Sequence, residues 1–108
     1  MSALLADLRR KATQRRVMYE EADWRCRKCH ERCPERMDAL PGQRFLTLDH
    51  VVPRSAGGPS EAWNLAVLCD QCNHDKGSKH DLSVWEGHPP WQYYALQARM
   101  RARTLVAA

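Results

Sequence analysis

Residues 68–77 read Leu68-Cys69-Asp70-Gln71-Cys72-Asn73-His74-Asp75-Lys76-Gly77, and they decide the fold because they carry half of a metal site. Cys69 and Cys72 have the Cys-x-x-Cys spacing with which two thiolates reach one zinc ion. A second pair with this spacing, Cys26 and Cys29, lies upstream. Since a chain of 108 residues can bury only a modest apolar core, a metal would supply needed stability. The sequence therefore predicts a structural Zn²⁺ on four cysteines.

The alternatives to zinc are two disulfides or a redox-active cysteine pair. The chain does not open with a basic segment followed by a long apolar run, so we expect a cytoplasmic protein, and disulfides are rare in that compartment. No segment reaches membrane-spanning length, and we expect no membrane association. Thioredoxin-like chemistry uses one such pair rather than two. The fifth cysteine, Cys33, is predicted to be a free thiol, although Cys33 or His30 could replace a ligand.

Around this segment, apolar periodicity and turn residues predict a small α+β chain. A strand, a loop, a strand and a short helix occupy the middle, and a helix lies at each end. Ser2 is the predicted cap of the first helix, and Asp70 that of the short one, which ends at Gly77. The predicted helices cover residues 2–22, 70–77 and 90–106, the strands cover 45–52 and 63–68, and a zinc-knuckle loop covers 24–42.

The length predicts one domain over residues 1–108. Within it we distinguish a basic N-terminal helix (1–22), a zinc-bound core (23–80) and a C-terminal helical extension (81–108).

The core resembles the HNH endonuclease family. The resemblance lies in Leu48-Asp49-His50-Val51-Val52-Pro53-Arg54-Ser55-Ala56-Gly57-Gly58, then Trp63-Asn64-Leu65, then residues 68–77. It implies a ββα-metal fold, also called the His-Me finger, with a four-Cys zinc site. It also implies cleavage of phosphodiester bonds with a divalent metal ion.

The resemblance also implies a catalytic set of His50, Asn64 and Asn73. His50 would take the proton of the attacking water, and Asp49 and Asn73 would hold one Mg²⁺ or Mn²⁺ through oxygen atoms. His74 is the alternative to Asn73. Asn64 is expected to tie the loop by hydrogen bonds rather than touch the metal. Because neighbouring residues of a strand face opposite ways, Asp49 and His50 can share a site only where the strand twists or ends.

A basic stretch without acids lies between Leu8 and Tyr19 and suits contact with DNA phosphates, although a solvated helix face is the alternative. Three further basic residues accompany the core motif. The predicted DNA-binding residues are Arg9, Arg10, Lys11, Arg15, Arg16, Arg54, Lys76 and Lys79.

These features predict a metal-dependent DNA endonuclease that nicks or cuts both strands. The alternatives are a non-catalytic zinc module that binds DNA, since a fold does not fix a function, and a nuclease that cleaves RNA. A homodimer and a place in a larger DNA-processing machine both stay open, as do phage, mobile-element, restriction and repair settings.

Overall fold

A computed structural model describes residues 3–107, so the predicted cap Ser2 lies outside the described residues. Within that range the chain forms three α-helices and a two-stranded antiparallel sheet, which confirms the small α+β fold. The elements are α1 (Ala3–Glu21), β1 (Leu46–His50), β2 (Leu65–Cys69), α2 (Asp70–Lys76) and α3 (Trp91–Ala107).

The chain divides into two compact units, each assembled from two stretches of sequence. The first contains the residues up to Asp49 together with Ala66–Gly77, and the second contains His50–Leu65 together with the residues from Ser78 onward. The single domain expected from the chain length stays a prediction.

In the first unit, α1 forms because no Gly or Pro interrupts residues 3–21. Its only buried described residue is Tyr19, near its end, whose hydroxyl donates to the carbonyl oxygen of Leu46 at 3.2 Å. Leu4, Leu5 and Leu8, in the first half of the helix, are exposed. The apolar contacts of α1 are therefore concentrated in its last turn.

In the second unit, an aromatic cluster and a few buried aliphatic side chains form the core. The Trp63 and Trp85 rings stack with centroids 6.3 Å apart, and Tyr93 meets Trp85 edge-on at 5.3 Å. Val84 and Leu96 are buried. These contacts fix one face of α3.

Three of the element boundaries that differ from prediction lie next to candidate site residues. β1 ends at His50, because the backbone bends over the next two residues before Pro53. β2 begins at Leu65 rather than Trp63, because Ala62–Asn64 form a turn of 3₁₀ helix. Its end at Cys69 brings a zinc-ligand candidate directly onto the strand.

The predicted cap of α2 is wrong by one residue. Cys69 is the N-cap, and its sulfur accepts a hydrogen bond from the Cys72 backbone N–H at 3.4 Å. Asp70 is the first helical residue, and its carboxylate instead accepts from the Phe45 backbone N–H at 3.1 Å. The helix stops at Gly77 as predicted, where φ is +59°.

Among the described residues, no helix combines the length and the apolar character needed to cross a membrane.

Candidate active site and zinc centre

The two Cys-x-x-Cys pairs meet in the first unit. The sulfur atoms of Cys26, Cys29, Cys69 and Cys72 all lie within 4.8 Å of one another, and those of Cys29 and Cys69 are 3.9 Å apart. Four sulfur donors at such separations suit tetrahedral Zn²⁺. The predicted four-cysteine metal site is thus confirmed as a cluster able to hold a metal ion.

A tight turn places the first pair. The backbone N–H groups of Lys28 and Cys29 donate to the Cys26 sulfur at 3.4 and 3.5 Å, and His30 has a positive φ of 65°. The Arg27 N–H donates to the Val67 carbonyl at 2.8 Å, which ties this turn to β2. Sequence-local turns and one strand contact therefore bring residues 40 positions apart together.

The thiol pKa values reflect burial and N–H donation. Burial raises the pKa of Cys26, but the backbone N–H groups of Cys29 and Lys28 help to outweigh that effect and bring the pKa to about 7. Burial raises the pKa of both Cys69 and Cys72. A bound cation would favour the thiolate form of all four sulfurs, because it compensates the negative charge that burial penalises.

The alternatives to this ligand set lie outside the cluster. None of the five cysteines forms a disulfide in the described chain. Cys33 is buried, and its thiol contacts the Glu31 carbonyl at 3.6 Å. Burial raises the pKa of Cys33 to about 11. Neither Cys33 nor His30 belongs to the metal cluster, which agrees with a free thiol at Cys33.

The first unit also contains a buried ion pair at the end of β1. Lys76 Nζ lies 2.9 Å from Asp49 Oδ2, and only 5% and 14% of the two side chains are exposed. The ammonium compensates the carboxylate charge, and no other donor among residues 3–107 reaches Oδ2. Lys76, which was predicted to contact phosphate, is thus buried and paired with a carboxylate in this structure.

Asn73 lies on α2 in the same unit. Its amide nitrogen donates to Thr47 Oγ1 at 2.9 Å, and that hydroxyl in turn donates to the Leu68 carbonyl at 2.8 Å. The chain of donors fixes which end of the amide is nitrogen and leaves the carbonyl oxygen as the atom available to a cation. His74, the alternative, is exposed.

His50 is the first residue of the second unit. Its Nε2 lies 2.9 Å from Ser60 Oγ, a hydrogen bond that restrains the imidazole ring. β1 ends at His50. The strand therefore stops at the position where it must twist or end if Asp49 and His50 are to share a site.

Asn64 ties the loop that follows His50 by hydrogen bonds, the role predicted for it from the sequence. It is fully buried, accepts from the Val52 N–H at 2.9 Å, and donates to the Val52 and Pro59 carbonyls at 3.0 and 2.9 Å. Gly58 permits this closure, since a Cβ there would lie 1.8 Å from the Val52 oxygen. The loop is therefore held by an internal hydrogen-bond network.

The predicted DNA-binding residues of α1 are partly paired with acids. Asp7 forms ion pairs with Arg10 and Lys11, and Arg16 pairs with Glu35 at 3.3 Å. All these basic side chains are exposed, as are those of Arg54 and Lys79. Exposed pairs of this kind are weak, so they do not prevent contact with phosphate.

Two site residues were missed from the sequence. Thr47 precedes Asp49 by two positions in a strand, so period-two alternation could have indicated a shared face. Ser60 sits in a stretch of turn residues, and nothing in its local pattern indicates a histidine partner ten positions away.

The model of the HNH endonuclease family matches residues 26–79, which is half of the chain. The chain therefore belongs to the HNH endonuclease family, whose members are generally nucleases. No curated protein and no solved structure matches the chain.

Proposed function

We propose that this protein is a divalent-metal-dependent endonuclease that hydrolyses phosphodiester bonds in DNA. The observation that carries the proposal is the buried Asp49 carboxylate, whose Oδ2 has the Lys76 ammonium beside it and no other donor among residues 3–107. Burying a carboxylate is costly unless its charge is compensated, so a chain retains such a group chiefly for a cation. Membership of a nuclease family indicates what that cation is for.

Asp49 Oδ2 and the Asn73 amide oxygen are the proposed ligands of the catalytic ion. Both are hard oxygen donors of the kind that Mg²⁺ and Mn²⁺ prefer, and the Lys76 ammonium already occupies a cation's place at Oδ2. When bound, such an ion neutralises charge on the phosphate and stabilises the departing oxygen. Asn73 is favoured over His74 because its amide is oriented by Thr47.

His50 is the proposed general base. A neutral imidazole takes a proton well near pH 7, and the hydrogen bond with Ser60 restrains rotation of the ring. Asn64 contributes indirectly, because the loop it closes carries Ser60's neighbour Pro59.

The basic residues named from the sequence are the proposed phosphate contacts. The exposed side chains of α1, with Arg54 and Lys79, supply positive charge for sequence-independent binding to DNA. Lys76 compensates Asp49 in the absence of the ion, and we propose that it turns to phosphate when the ion is bound. Reduced thiolate ligands suit action in the cytoplasm.

The test is nicking of supercoiled plasmid by zinc-loaded protein, with and without added Mg²⁺ or Mn²⁺. We expect nicking that needs the added ion and falls about 10²–10⁴-fold in His50→Ala, the contribution typical of a general base. His88→Ala is the matched control, since His88 is an exposed histidine of the same unit. Asn73→Ala should abolish nicking and His74→Ala should not.

Three outcomes would contradict the proposal. Absence of nicking by the wild type would favour a non-catalytic zinc module. Equal nicking by His50→Ala would remove the base from the mechanism. Cleavage of single-stranded RNA without cleavage of duplex DNA would change the substrate class.

A further inference from the structure

The second unit contains a groove whose arginine side chains have no part in the proposed catalytic site. It has a volume of about 600 Å³ and runs between the loop of residues 55–59 and one face of α3. Leu96 is buried against it, and a Cβ on Gly57 would lie 3.9 Å from Met100 Sδ, so loop and helix are in close packing. The two walls of the groove are thus in direct contact with each other within this unit.

Two arginines give the groove its charge. Arg99 and Arg103 line it one helical turn apart, and no acidic residue lines it. Neither arginine forms an ion pair within residues 3–107, and the sequence contains no Asp or Glu after Glu86. Both guanidinium groups therefore remain available for an external anion.

Three backbone donors on the loop side of the groove are already used within the loop. The N–H groups of Ala56, Gly57 and Gly58 donate to the Pro53 or Arg54 carbonyls within the loop. Anion recognition then depends on the arginine side chains, which hold phosphate oxygens through two parallel N–H donors.

The spacing and place of the arginines fit a polynucleotide backbone. Four helical residues separate them by about 6 Å along the helix axis, a separation that lets the two side chains reach successive phosphates of one DNA strand. The lining residue Pro59 precedes Ser60, the partner of His50, within the same unit. A strand in the groove would therefore pass close to the proposed general base.

We propose that this groove binds the phosphate backbone of duplex DNA beside the bond to be cut, with Arg99 and Arg103 as the contacts. The inference rests on the proposed DNA endonuclease function and adds to it a binding surface on α3, which faces the loop of the core motif. Because only backbone phosphates are held, binding there is independent of base sequence.

The experiment measures binding separately from cleavage. A fluorescently labelled DNA duplex is titrated at several salt concentrations with zinc-loaded protein in a His50→Ala background and without added Mg²⁺ or Mn²⁺, so that cutting is suppressed. Into it we introduce Arg99→Gln, Arg103→Gln or Arg101→Gln. Arg101 is the matched control, because it is exposed on the same helix about 160° around from each groove arginine and does not line the groove.

We expect Arg99→Gln and Arg103→Gln each to weaken binding several-fold and to reduce the slope of log K against log salt by about 0.9, which is one phosphate contact. Arg101→Gln should leave both quantities near the parent values. The proposal would be overturned if Arg99→Gln and Arg103→Gln reduced DNA affinity and salt slope no more than Arg101→Gln does, with unchanged thermal melting. Losses seen with single-stranded RNA but not with DNA would also overturn it.

Failure of this inference differs from failure of the proposed function. If wild-type protein nicks plasmid but the groove variants bind DNA like the control, the proposed endonuclease function is supported and the proposed groove contact is wrong. If the groove variants bind DNA weakly but no protein nicks plasmid, the groove stands as a DNA-binding surface and the endonuclease falls.

Discussion

Replacing Asn64 by Ala tests the hydrogen-bond network that closes the loop after His50. The substitution removes the partners of the Val52 N–H and C=O, at 2.9 and 3.0 Å, and Val52 is fully buried. Each buried backbone group left without a partner costs about 1–3 kcal/mol, so the two together cost about 2–6 kcal/mol. Whole domains are stable by about 5–15 kcal/mol, so this loss would take a large share.

The assay is urea denaturation of zinc-saturated protein, combined with hydrogen exchange of single amides. We expect Asn64→Ala to lower the free energy of unfolding by at least about 2 kcal/mol. The Val52 amide should exchange much faster, while the Val51 amide, which donates to the Asn64 backbone carbonyl, should change less. Gln43→Ala is the control, because Gln43 accepts one exposed hydrogen bond, from the Leu40 N–H, and should cost under about 0.5 kcal/mol. Equal losses in both variants would refute the reasoning.

Asn64→Asp separates hydrogen bonding from packing. Aspartate has nearly the volume of asparagine and still accepts from Val52, but it faces the Val52 and Pro59 carbonyls with an acceptor in place of a donor. We expect a loss of about 2 kcal/mol or more. A harmless Asn64→Asp would assign the cost of Asn64→Ala to lost packing.

Three further predictions follow from the same structure. Gly58→Ala places a Cβ 1.8 Å from the Val52 oxygen, so thermal melting should show a loss of about 1–3 kcal/mol or more, and an unchanged melting temperature would contradict this. Cys69→Ser should lose zinc, measured by atomic absorption, and melt at lower temperature because structural zinc binding is coupled to folding; a zinc-replete variant with normal melting would count against it. Cys33 is buried and its pKa is raised to about 11, so its thiol should resist iodoacetamide at pH 8. It should react as the pH rises towards that value or when the protein unfolds. Rapid modification of folded protein at pH 8, detected by mass spectrometry, would contradict this prediction.

The parts of the molecule fixed by local chemistry could be predicted from the sequence. The cysteine spacing indicated the metal cluster because each pair is set by its own turn. Gly77 marked the end of α2 because a positive φ favours glycine. The loop-tying role of Asn64 followed from the tendency of asparagine to bond nearby backbone, and its partners lie at most 12 residues away.

The parts that depend on packing between distant segments could not be predicted. The phosphate contact of Lys76 stays a prediction, and its buried ion pair with Asp49, 27 residues away, could not be foreseen from its basic character. The groove depends on how residues 55–59 pack on α3, so the charges of Arg99 and Arg103 had no assigned role until that packing was seen. Hydropathy and spacing contain no information on such contacts.

Cys69 has two structural roles at the start of α2. Its sulfur belongs to the metal cluster and also caps the helix by accepting from Cys72. A seven-residue helix is far shorter than the lengths at which isolated helices persist in water, because nucleation of the first turn is unfavourable. Zinc would therefore nucleate the helix, because binding fixes the backbone of the first turn of α2, which carries Asn73. Removing zinc would then abolish the proposed nuclease activity through loss of the helix that carries Asn73.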